Sequence, residues 1–378
     1  MVDPAIHDHD GGDVRPLSWL MLATQVPASG SGGGIVRYTV ELARALRART
    51  DVELSVLATA SARAFFTELL GSGDRVLTVP NFPVPVRTAL ERTGLAQLPA
   101  WRRFDVVHGT KHVLPRWGSA TGVLTVHDML PFQRPRDFGL LKRTLLTRPY
   151  LASIRQADAL LCVSRATQRT VERLVPATAG RTVAVPLAMS TGLRTAEREP
   201  VTSLVDREFA LIVGDTSPRK NLGLVVDLWP RVVAERPDAT LAVVGPPSWG
   251  PSELGTNGSE SLASGAMQLL GHLSDAQLRW CYENATVVLC PSKLEGFGLP
   301  AIEARSFGAP LITSLDPALV EVSGDSAVHL PNDDADAWKS AITAALGAGR
   351  IPGTAVPVRG WDEVAAETVA AVRAVLAR

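Results

Sequence analysis

The sequence predicts an α/β protein built from two domains, each a doubly wound parallel sheet with helices on both faces. The chain has 378 residues, which exceeds the roughly 250 to 300 residues at which one hydrophobic core stops growing. Short continuous apolar runs, typical of strands buried on both faces, alternate with helical patterns along the chain. The alternation occurs twice, on either side of a polar stretch at residues 190–207.

The first half of the chain contains seven apolar runs that predict strands, and the second half contains four. In the first half they are LSWLMLAT, VELSVLAT, DRVLTVP, FDVVHGT, GVLTVHD, ALLCVS and TVAVP, with a helical pattern at residues 35–49. In the second half they are FALIVGD, TLAVVG, VVLCPS and APLITS, separated by the helical patterns NLGLVVDLWPRVVAERP, SDAQLRWCYENA and LPAIEARSFG. A last helix, at residues 362–377, is predicted to cross back to the first domain.

These patterns divide the chain into five predicted segments. Residues 1–14 are acidic and broken by glycines, so we expect a disordered tail there. Residues 15–190 are predicted to form the first domain, residues 191–207 a linker, and residues 208–355 the second domain. Residues 356–378 then hold the crossover helix.

Composition narrows the class of protein. With 46% hydrophobic and 20% charged residues, the chain is typical of a globular protein. Its first residues lack the basic and then apolar profile of a secretory signal, and no apolar run approaches the roughly 18 residues of a membrane-spanning helix. Cys162, Cys281 and Cys290 lack metal-ligand spacing and are interpreted as reduced core thiols. We therefore expect a cytoplasmic protein.

The charges are divided unevenly along the chain. Residues 15–200 carry 25 Lys and Arg against 13 Asp and Glu, whereas residues 201–378 carry 13 against 21. Much of the excess lies in two stretches, residues 87–103 and 133–155, that mix arginines with leucines and aromatic residues. Such a basic amphipathic surface is typical of proteins that lie on anionic lipid. A solvated face in an arginine-rich chain explains it equally well, so both interpretations stay open.

The segment EGFGLPAIE, residues 295–303, is the most informative in the chain. Two glutamates, Glu295 and Glu303, enclose two glycines and a proline, a pattern typical of a loop that turns into a helix. Proline lacks an N–H group and has φ near the helical value, so Pro300 is predicted to be the first helical residue. Glu295 would then lie on the loop and Glu303 in the first turn.

The two glycines of this segment suggest a ligand. Gly296 and Gly298 lack side chains, so the N–H groups of Phe297, Gly298 and Leu299 are expected to approach an anion at the positive end of a helix dipole. Such a loop suits a sugar diphosphate. An ordinary turn followed by a glutamate that favours the helix dipole is an equally good explanation of the isolated motif.

A second glycine-rich loop, SGSGGGIVRY, leads from the first predicted strand into a helix. Gly32, Gly33 and Gly34 leave the backbone open to a phosphate or to the edge of a sugar. The loop is not the dinucleotide-binding fingerprint, since Ile35 stands where the third glycine is required. This weakens, without excluding, the prediction of an NAD-dependent oxidoreductase.

The segment GDTSPRKNLG follows the first strand of the second half. Pro218 is predicted to start a helix whose first turn presents Arg219 and Lys220. Cations are unfavourable at the positive end of a helix dipole unless an anion binds there. The pair therefore indicates an anion site.

Three further groups have competing structural explanations. His127 lies at a strand end, where a histidine more often has a structural hydrogen-bond role than a catalytic one. Leu273 precedes a helix that Ser274 or Asp275 is expected to cap. The pattern of Asp334 and Asp336 mimics a metal-binding DxD, but it precedes a helix and is interpreted as its cap.

Together these segments resemble glycosyltransferase family 4, retaining enzymes with the GT-B fold, in which two Rossmann-like domains face each other across a cleft. The resemblance covers nearly the whole chain and rests on the glycine loop before VELARAL, the strand-end His127, ADALLCVSRAT, PRKN, LLGHLSDAQL, CPSKLEGFGLPAIEA and APLITS. The form GDTSPRKNL is similar to that of bacterial mannosyl- and rhamnosyltransferases of surface polysaccharide assembly. In one departure, Asp215 stands where many members have an arginine, whose charge Arg219 is then expected to supply.

The resemblance implies a role for each candidate residue. Glu303 would accept both ribose hydroxyls of a nucleotide-sugar donor. Catalytic roles would belong to Glu295 and His127, which contact the transferred sugar. The other donor-binding residues would be Arg219, Lys220, Leu273, Gly296, Phe297, Gly298 and Leu299, and the loop that lines the phosphate or acceptor would be Gly32, Gly33 and Gly34.

The resemblance also implies the reaction and its partners. A hexose, most simply mannose from GDP-mannose, would pass to a glycan or polyprenyl-linked acceptor and form an α-glycosidic bond, with charge on the departing phosphate stabilised by preorganised donors. Neither a metal nor another cofactor would be needed, no nucleic acid partner is expected, and an anionic membrane surface would bind the first domain. A GT-B sugar-nucleotide epimerase and a non-catalytic subunit of a glycan assembly complex remain alternatives.

Overall fold

A computed structural model of the chain describes residues 15–82, 104–115, 119–137, 140–246, 255–351, 353, 355–357 and 359–378. Two parallel sheets form the framework within this part. The first has seven strands in the order β3-β2-β1-β4-β5-β6-β7, and the second has six in the order β10-β9-β8-β11-β12-β13. In both sheets the order runs outward from the first strand in two directions, as in a doubly wound fold. The predicted fold class is confirmed.

The strands are short and their residues are largely buried. Those of the first sheet are β1 (Leu17–Leu22), β2 (Val52–Thr59), β3 (Val76–Val79), β4 (Val106–Gly109), β5 (Thr121–Val126), β6 (Ala159–Cys162) and β7 (Thr182–Ala184). Those of the second are β8 (Phe209–Val213), β9 (Thr240–Val244), β10 (Met267–Gly271), β11 (Val287–Cys290), β12 (Leu311–Ser314) and β13 (Val328–Leu330). Every residue of β4, β6, β9, β11 and β12 is buried, because helices cover both faces of each sheet.

Helices connect the strands and pack on both faces. They are α1 (Gly34–Arg47), α2 (Arg63–Leu70), α3 (Leu130–Gln133), α4 (Leu140–Gln156), α5 (Arg165–Leu174), α6 (Thr191–Thr195), α7 (Leu222–Glu235), α8 (Gly255–Ala263), α9 (Asp275–Asn284), α10 (Leu299–Ser306), α11 (Pro317–Ser323), α12 (Ala335–Ala348) and α13 (Trp361–Leu376). Large apolar side chains such as Trp19, Trp229 and Trp338 are fully buried between helices and sheets. No helix within the described residues is long and apolar enough to cross a membrane.

The last helix returns to the first domain, as predicted. Helix α13 packs against α1 and β6. The indole Nε1 of Trp361 donates to the carbonyl of Met189 at 3.0 Å, and Arg373 Nη2 lies 3.4 Å from a carboxylate oxygen of Asp51. The second half of the chain is thus joined to the first by a packed helix as well as by the backbone near residue 200.

Three local predictions of structure need correction. The pattern at Pro218 does not begin an α-helix, since Pro218–Lys220 form a 3-10 turn, Asn221 has φ +56°, and α7 begins at Leu222. Strands β10 and β13 are not among the four apolar runs predicted for the second half; both lie at sheet edges, and β13 is only three residues long.

The third correction concerns the stretch 191–207, which was predicted to be a plain linker. It contains the short helix α6, whose Thr191 N–H donates to the buried carboxylate of Glu41 at 2.9 Å, as does the hydroxyl of Ser190 at 3.1 Å. The domain boundaries themselves stay a prediction, and residues 1–14 lie outside the described part of the chain.

Candidate active site

A cavity of about 340 Å³ lies between the two sheets, at the carboxyl ends of their strands. Ligands bind at this edge in open parallel sheets, and the volume is in the range of small-molecule sites. All thirteen site residues predicted from the sequence line it: Gly32, Gly33, Gly34, His127, Arg219, Lys220, Leu273, Glu295, Gly296, Phe297, Gly298, Leu299 and Glu303. The structure therefore brings together groups that are far apart in the sequence.

Glu295 is the centre of a charged cluster on the second domain. Lys220 Nζ lies 2.6 Å from its Oε1, and Arg219 Nη1 lies 3.2 Å from its Oε2. The hydroxyl of Ser292 also donates to Oε1, at 2.6 Å. Burial alone would raise the pKa of Glu295, but Lys220 and Arg219, together with hydrogen bonds from Lys220 and Ser292, lower it to about 2. Glu295 is therefore ionised at neutral pH.

Arg219 and Lys220, the cations that predicted an anion site, already lie beside carboxylates of the protein itself. Besides Glu295, Asp215 Oδ2 lies 3.8 Å from Arg219 Nη2. Asp215 thus partners Arg219 instead of adding to the positive charge at this point. Lysine carries three donors and arginine five, so both side chains retain donors for a phosphate while they hold Glu295.

The loop after Glu295 is held by the first domain. The carbonyl of Gly296 accepts from the hydroxyls of Ser164 at 2.6 Å and Thr167 at 2.9 Å. A Cβ atom at position 296 would lie 1.7 Å from the carbonyl oxygen of His127, well inside van der Waals contact. The sequence explanation of this glycine, close approach to a ligand, is therefore incomplete, because the approach of the first domain already requires it.

The second glycine of the loop also has a structural cause. Gly298 has φ +99°, a left-handed conformation that favours glycine, and a Cβ there would lie 2.7 Å from Leu319. The helix α10 begins at Leu299, so Pro300 is its second residue and not its first, and Glu303 lies beyond the first turn. Proline is tolerated there because its missing N–H has no partner within the helix.

Glu303 is held from both domains. Its side chain is almost fully buried, Arg37 Nη1 donates to Oε1 at 3.0 Å, and the hydroxyl of Tyr282 donates to Oε2 at 2.7 Å. Burial raises the pKa of Glu303 above its usual value, against the charge of Arg37 and the hydrogen bond from Tyr282. The sequence analysis missed both partners. A signal was present for Arg37, which is a cation near the start of a helix, as Arg219 and Lys220 were predicted to be.

His127 approaches the cavity from the first domain. Its Nε2 lies 2.9 Å from the carbonyl of Thr110, and its ring packs edge-on against Tyr38, with 4.8 Å between ring centres. Because a carbonyl only accepts, Nε2 carries the proton. Burial lowers the pKa of His127, although the hydrogen bond to Thr110 and the charge of Asp128 oppose this. The imidazole is then neutral at pH 7, with its lone pair on Nδ1.

Two glycines of the loop before α1, Gly33 and Gly34, are explained neither by backbone conformation nor by packing, whereas a Cβ at Gly32 would lie 3.0 Å from Val36. Gly33 has an ordinary φ of −63° as the residue before α1, and a Cβ at this position would have no atom within 4 Å. A Cβ at Gly34 would be 3.6 Å from Leu299, an ordinary contact. Both positions face the cavity, so close approach of a ligand remains the best reason for glycine there.

Other sequence predictions are settled by simple contacts. Ser274 caps α9 in a capping box with Gln277, and Asp334 caps α12, as predicted. Asp336 pairs with Arg231 at 2.6 Å. Cys162, Cys281 and Cys290 are free and buried, as predicted. Within the described residues, no cluster of three or more His, Cys, Asp or Glu side chains is arranged to hold a metal.

Two family models divide the chain between them. Residues 32–193 match the model described as Glycosyltransferase Family 4, and residues 194–349 match the model described as Glycosyl transferases group 1. Together they cover most of the chain, and they meet at the beginning of the polar stretch between the sheets.

Several other proteins are similar to this chain in sequence or in structure. O-antigen chain mannosyltransferase B of Escherichia coli is 29% identical over 65% of this chain and 68% of its own length. O-antigen chain mannosyltransferase RfbU of Salmonella typhimurium is 24% identical over 82% of this chain and 87% of its own. The structure of Anabaena HepE in complex with UDP and glucose superposes with a TM-score of 0.67 over 94% of this chain and 99% of that one, at 16% identity.

Proposed function

Because the chain belongs to the glycosyltransferases, with a family 4 domain followed by a group 1 domain, we propose that it transfers mannose or rhamnose from a nucleoside-diphosphate sugar to a glycan or lipid-linked acceptor. The proposed reaction retains the anomeric configuration and forms an α-glycosidic bond. The names of the two O-antigen mannosyltransferases support the choice of sugar, and GDP-mannose is the first donor to test.

One observation carries the proposal: both glutamates of EGFGLPAIE and the cations Arg219 and Lys220 line a single cavity. The buried carboxylate of Glu303 is suited to accept from ribose hydroxyls, and the cluster around Glu295 is suited to hold the diphosphate and the sugar. The N-termini of α1 and α10 both face the cavity and add positive potential.

Each residue has a proposed task in the transfer step. As the bond to the sugar breaks, negative charge grows on the departing diphosphate, and the spare donors of Arg219 and Lys220 stabilise it. Glu295 stays ionised because of these two cations and accepts hydrogen bonds from the sugar hydroxyls. Neutral His127 accepts a further hydrogen bond through Nδ1. These groups provide positive charge without a metal ion, so we propose that none is required.

Donor binding is tested by a thermal-shift screen. A sugar nucleotide at 100 times its dissociation constant adds about 2.7 kcal/mol to the free energy of unfolding. GDP-mannose, UDP-glucose and dTDP-rhamnose are compared with mannose alone as the control. Stabilisation by at least one nucleotide sugar is the expected result, and no stabilisation by any of them would contradict the proposed donor site.

Glu303→Gln is expected to weaken binding of that donor by about 1 to 3 kcal/mol, the scale of a hydrogen bond to a charged group. The amide keeps the shape of the side chain but lacks the negative charge and one acceptor oxygen. Titration calorimetry measures the change. Glu260→Gln, at an exposed site on α8, is the control and should bind like the unmodified protein. Equal affinities for the two variants would remove Glu303 from the donor site.

A membrane surface is the second part of the proposal. Of the arginines and lysines that the sequence singled out, Arg102 and Arg103 and the side chains of Lys142 and Arg143 lie outside the described residues. Arg148 is exposed on α4, and Arg155, also exposed, follows it by two helical turns on the same face. On α5, the first helix after β6, Arg165, Arg169 and Arg173 are exposed. Arg169 pairs with Glu321 at 3.6 Å, and the other exposed arginines of the two helices suit anionic lipid.

The protein is expected to co-sediment with vesicles that contain anionic lipid and to stay in the supernatant when the vesicles are neutral. Salt at 0.5 M should release the bound protein. Each arginine near the surface contributes about 1 kcal/mol, so Arg148→Glu with Arg155→Glu should lower the partition coefficient at least about 30-fold. Arg207→Glu, at an exposed position at the end of the linker just before β8, is the control. Equal partitioning to both vesicle types would identify the arginines as a solvated face.

A further inference from the structure

Arg37 reaches across the cavity from one domain to the other. It is the fourth residue of α1, directly after the glycine loop, and its Nη1 donates to Glu303 Oε1 at 3.0 Å. Glu303 belongs to α10 of the second domain, 266 positions away in the sequence. The ion pair therefore exists only when the two domains are close together.

The position of Arg37 is not explained by the stability of its own helix. A cation near the N-terminus of a helix loses about 0.3 to 1 kcal/mol against the helix dipole. The same helix has two arginines in its last turn, Arg44 and Arg47, where the dipole favours them. The contact that compensates Arg37 is the carboxylate of Glu303.

Four titratable or charged groups surround Glu303. Arg37 faces it from α1, Tyr282 and Asp275 from α9, and Lys220 from the turn after β8; the thiol of Cys290 on β11 also senses its charge. Of these groups Arg37 is the cation that contacts the carboxylate, and Tyr282 is the neutral donor. Without Arg37, the burial of Glu303 would favour its protonated form. A protonated carboxyl is a donor as well as an acceptor, so it is a poorer partner for two ribose hydroxyls.

We propose that Arg37 is a positioning residue that holds Glu303 as an oriented, ionised acceptor for the donor ribose in the closed cleft. The inference rests on the proposed donor site. Since Arg37 and Glu303 come from different domains, ribose recognition and closure of the cleft favour each other by linkage. A donor that engages Glu303 is thereby held in the closed form, in which His127 and the loop at Gly296 also meet.

The test compares probes with and without the ribose hydroxyls. GDP and UDP, each beside its 2′,3′-dideoxy analogue, are titrated into the unmodified protein and into Arg37→Met. The variant is expected to bind the better of the two nucleotides about 10- to 100-fold more weakly at pH 7, and to bind the dideoxy analogue as the unmodified protein does. Arg37→Lys restores the charge and should recover most of the affinity. Arg44→Met, on the same helix and half exposed, is the control.

A pH series adds a readout that a purely structural role would not change. Above its pKa Glu303 is ionised and only accepts hydrogen bonds, and as the pH falls through that pKa it takes up a proton and becomes a donor as well. Removal of Arg37 raises that pKa further, so the affinity of Arg37→Met for the ribonucleotide should increase with pH across the series. The affinity of the unmodified protein should change much less.

Two results would overturn the inference. If Arg37→Met lost as much affinity for the dideoxy analogue as for the ribonucleotide, Arg37 would act on the phosphates. If the affinity of Arg37→Met for the ribonucleotide were unchanged, Glu303 would not need Arg37. Glu303→Gln separates this failure from failure of the donor site. If Glu303→Gln binds the nucleotide normally, the donor site is wrong; if it binds weakly and Arg37→Met binds normally, only the role of Arg37 is wrong.

Discussion

Lys220→Met is expected to lower the free energy of unfolding at pH 7 by about 3 to 5 kcal/mol, the cost of breaking a buried ion pair by removing one partner. Lys220 Nζ lies 2.6 Å from Glu295, and both side chains are largely buried. Arg219 and Ser292 remain in the variant, but the closest counter-charge is lost. Urea denaturation followed by tryptophan fluorescence measures the effect, and Lys293→Met, at a neighbouring exposed position, should change it by less than about 0.5 kcal/mol.

The same ion pair makes stability depend on pH. The ordinary pKa of Glu295 is 4.5, and in the folded protein it is about 2. As the pH falls, the unfolded chain takes up the proton first, so the stabilisation is complete above pH 4.5 and is lost between pH 4.5 and 2. Glu295→Gln removes this component, and its unfolding free energy should fall less steeply over that window. Parallel curves for the two proteins would contradict the pairing of Glu295 with Lys220.

Gly296→Ala is expected to lower kcat/KM by about 5- to 150-fold or more while both domains stay folded. The added Cβ would lie 1.7 Å from the carbonyl oxygen of His127. The position of the Cβ is fixed by the backbone of residue 296, and the carbonyl oxygen belongs to the backbone of residue 127. No side-chain rotation therefore relieves the clash, and the domains must separate. An overpacking cost of about 1 to 3 kcal/mol, imposed only on the closed cleft, corresponds to about 5- to 150-fold in rate, and the misplaced loop at Glu295 adds to the loss.

Gly223→Ala is the matched control for this prediction. Gly223 lies in α7, and a Cβ at that position has no atom within 4 Å. This substitution should leave kcat/KM unchanged and should not lower the melting temperature. If Gly296→Ala were as active as Gly223→Ala, the closed arrangement of His127 and the loop would not be the reactive one.

The fold could be predicted from the sequence because its causes are local. Buried strands of four to eight residues appear in the sequence as apolar runs, and the helices between them show the helical repeat of apolar residues. The capping of α9 by Ser274 and of α12 by Asp334 was predictable for the same reason. Strand β13 was not predicted because three residues at a sheet edge, one exposed and two half-buried, carry almost no pattern.

The members of the candidate site could be predicted, but their partners could not. Each candidate follows a strand, and parallel topology alone brings strand ends to one edge. The pairing of Arg37 with Glu303 depends on how two domains face each other, which no local pattern encodes. The same holds for Gly296, whose requirement comes from a carbonyl of the first domain. Asn221 adopts a left-handed conformation that ends the turn beginning at Pro218. Pro218 predicted a helix start more strongly than Asn221 predicted a turn, so the helix was placed too early.

The most direct test of the account measures release of nucleoside diphosphate from GDP-mannose, UDP-glucose and dTDP-rhamnose in EDTA, with a polyprenyl-linked glycan as acceptor. Arg219, Lys220 and the helix N-termini supply the positive charge at the cavity, so we predict release from at least one donor without added metal and its loss in Glu295→Gln. No release until Mg²⁺ or Mn²⁺ is added, or equal release by Glu295→Gln, would contradict the proposed site.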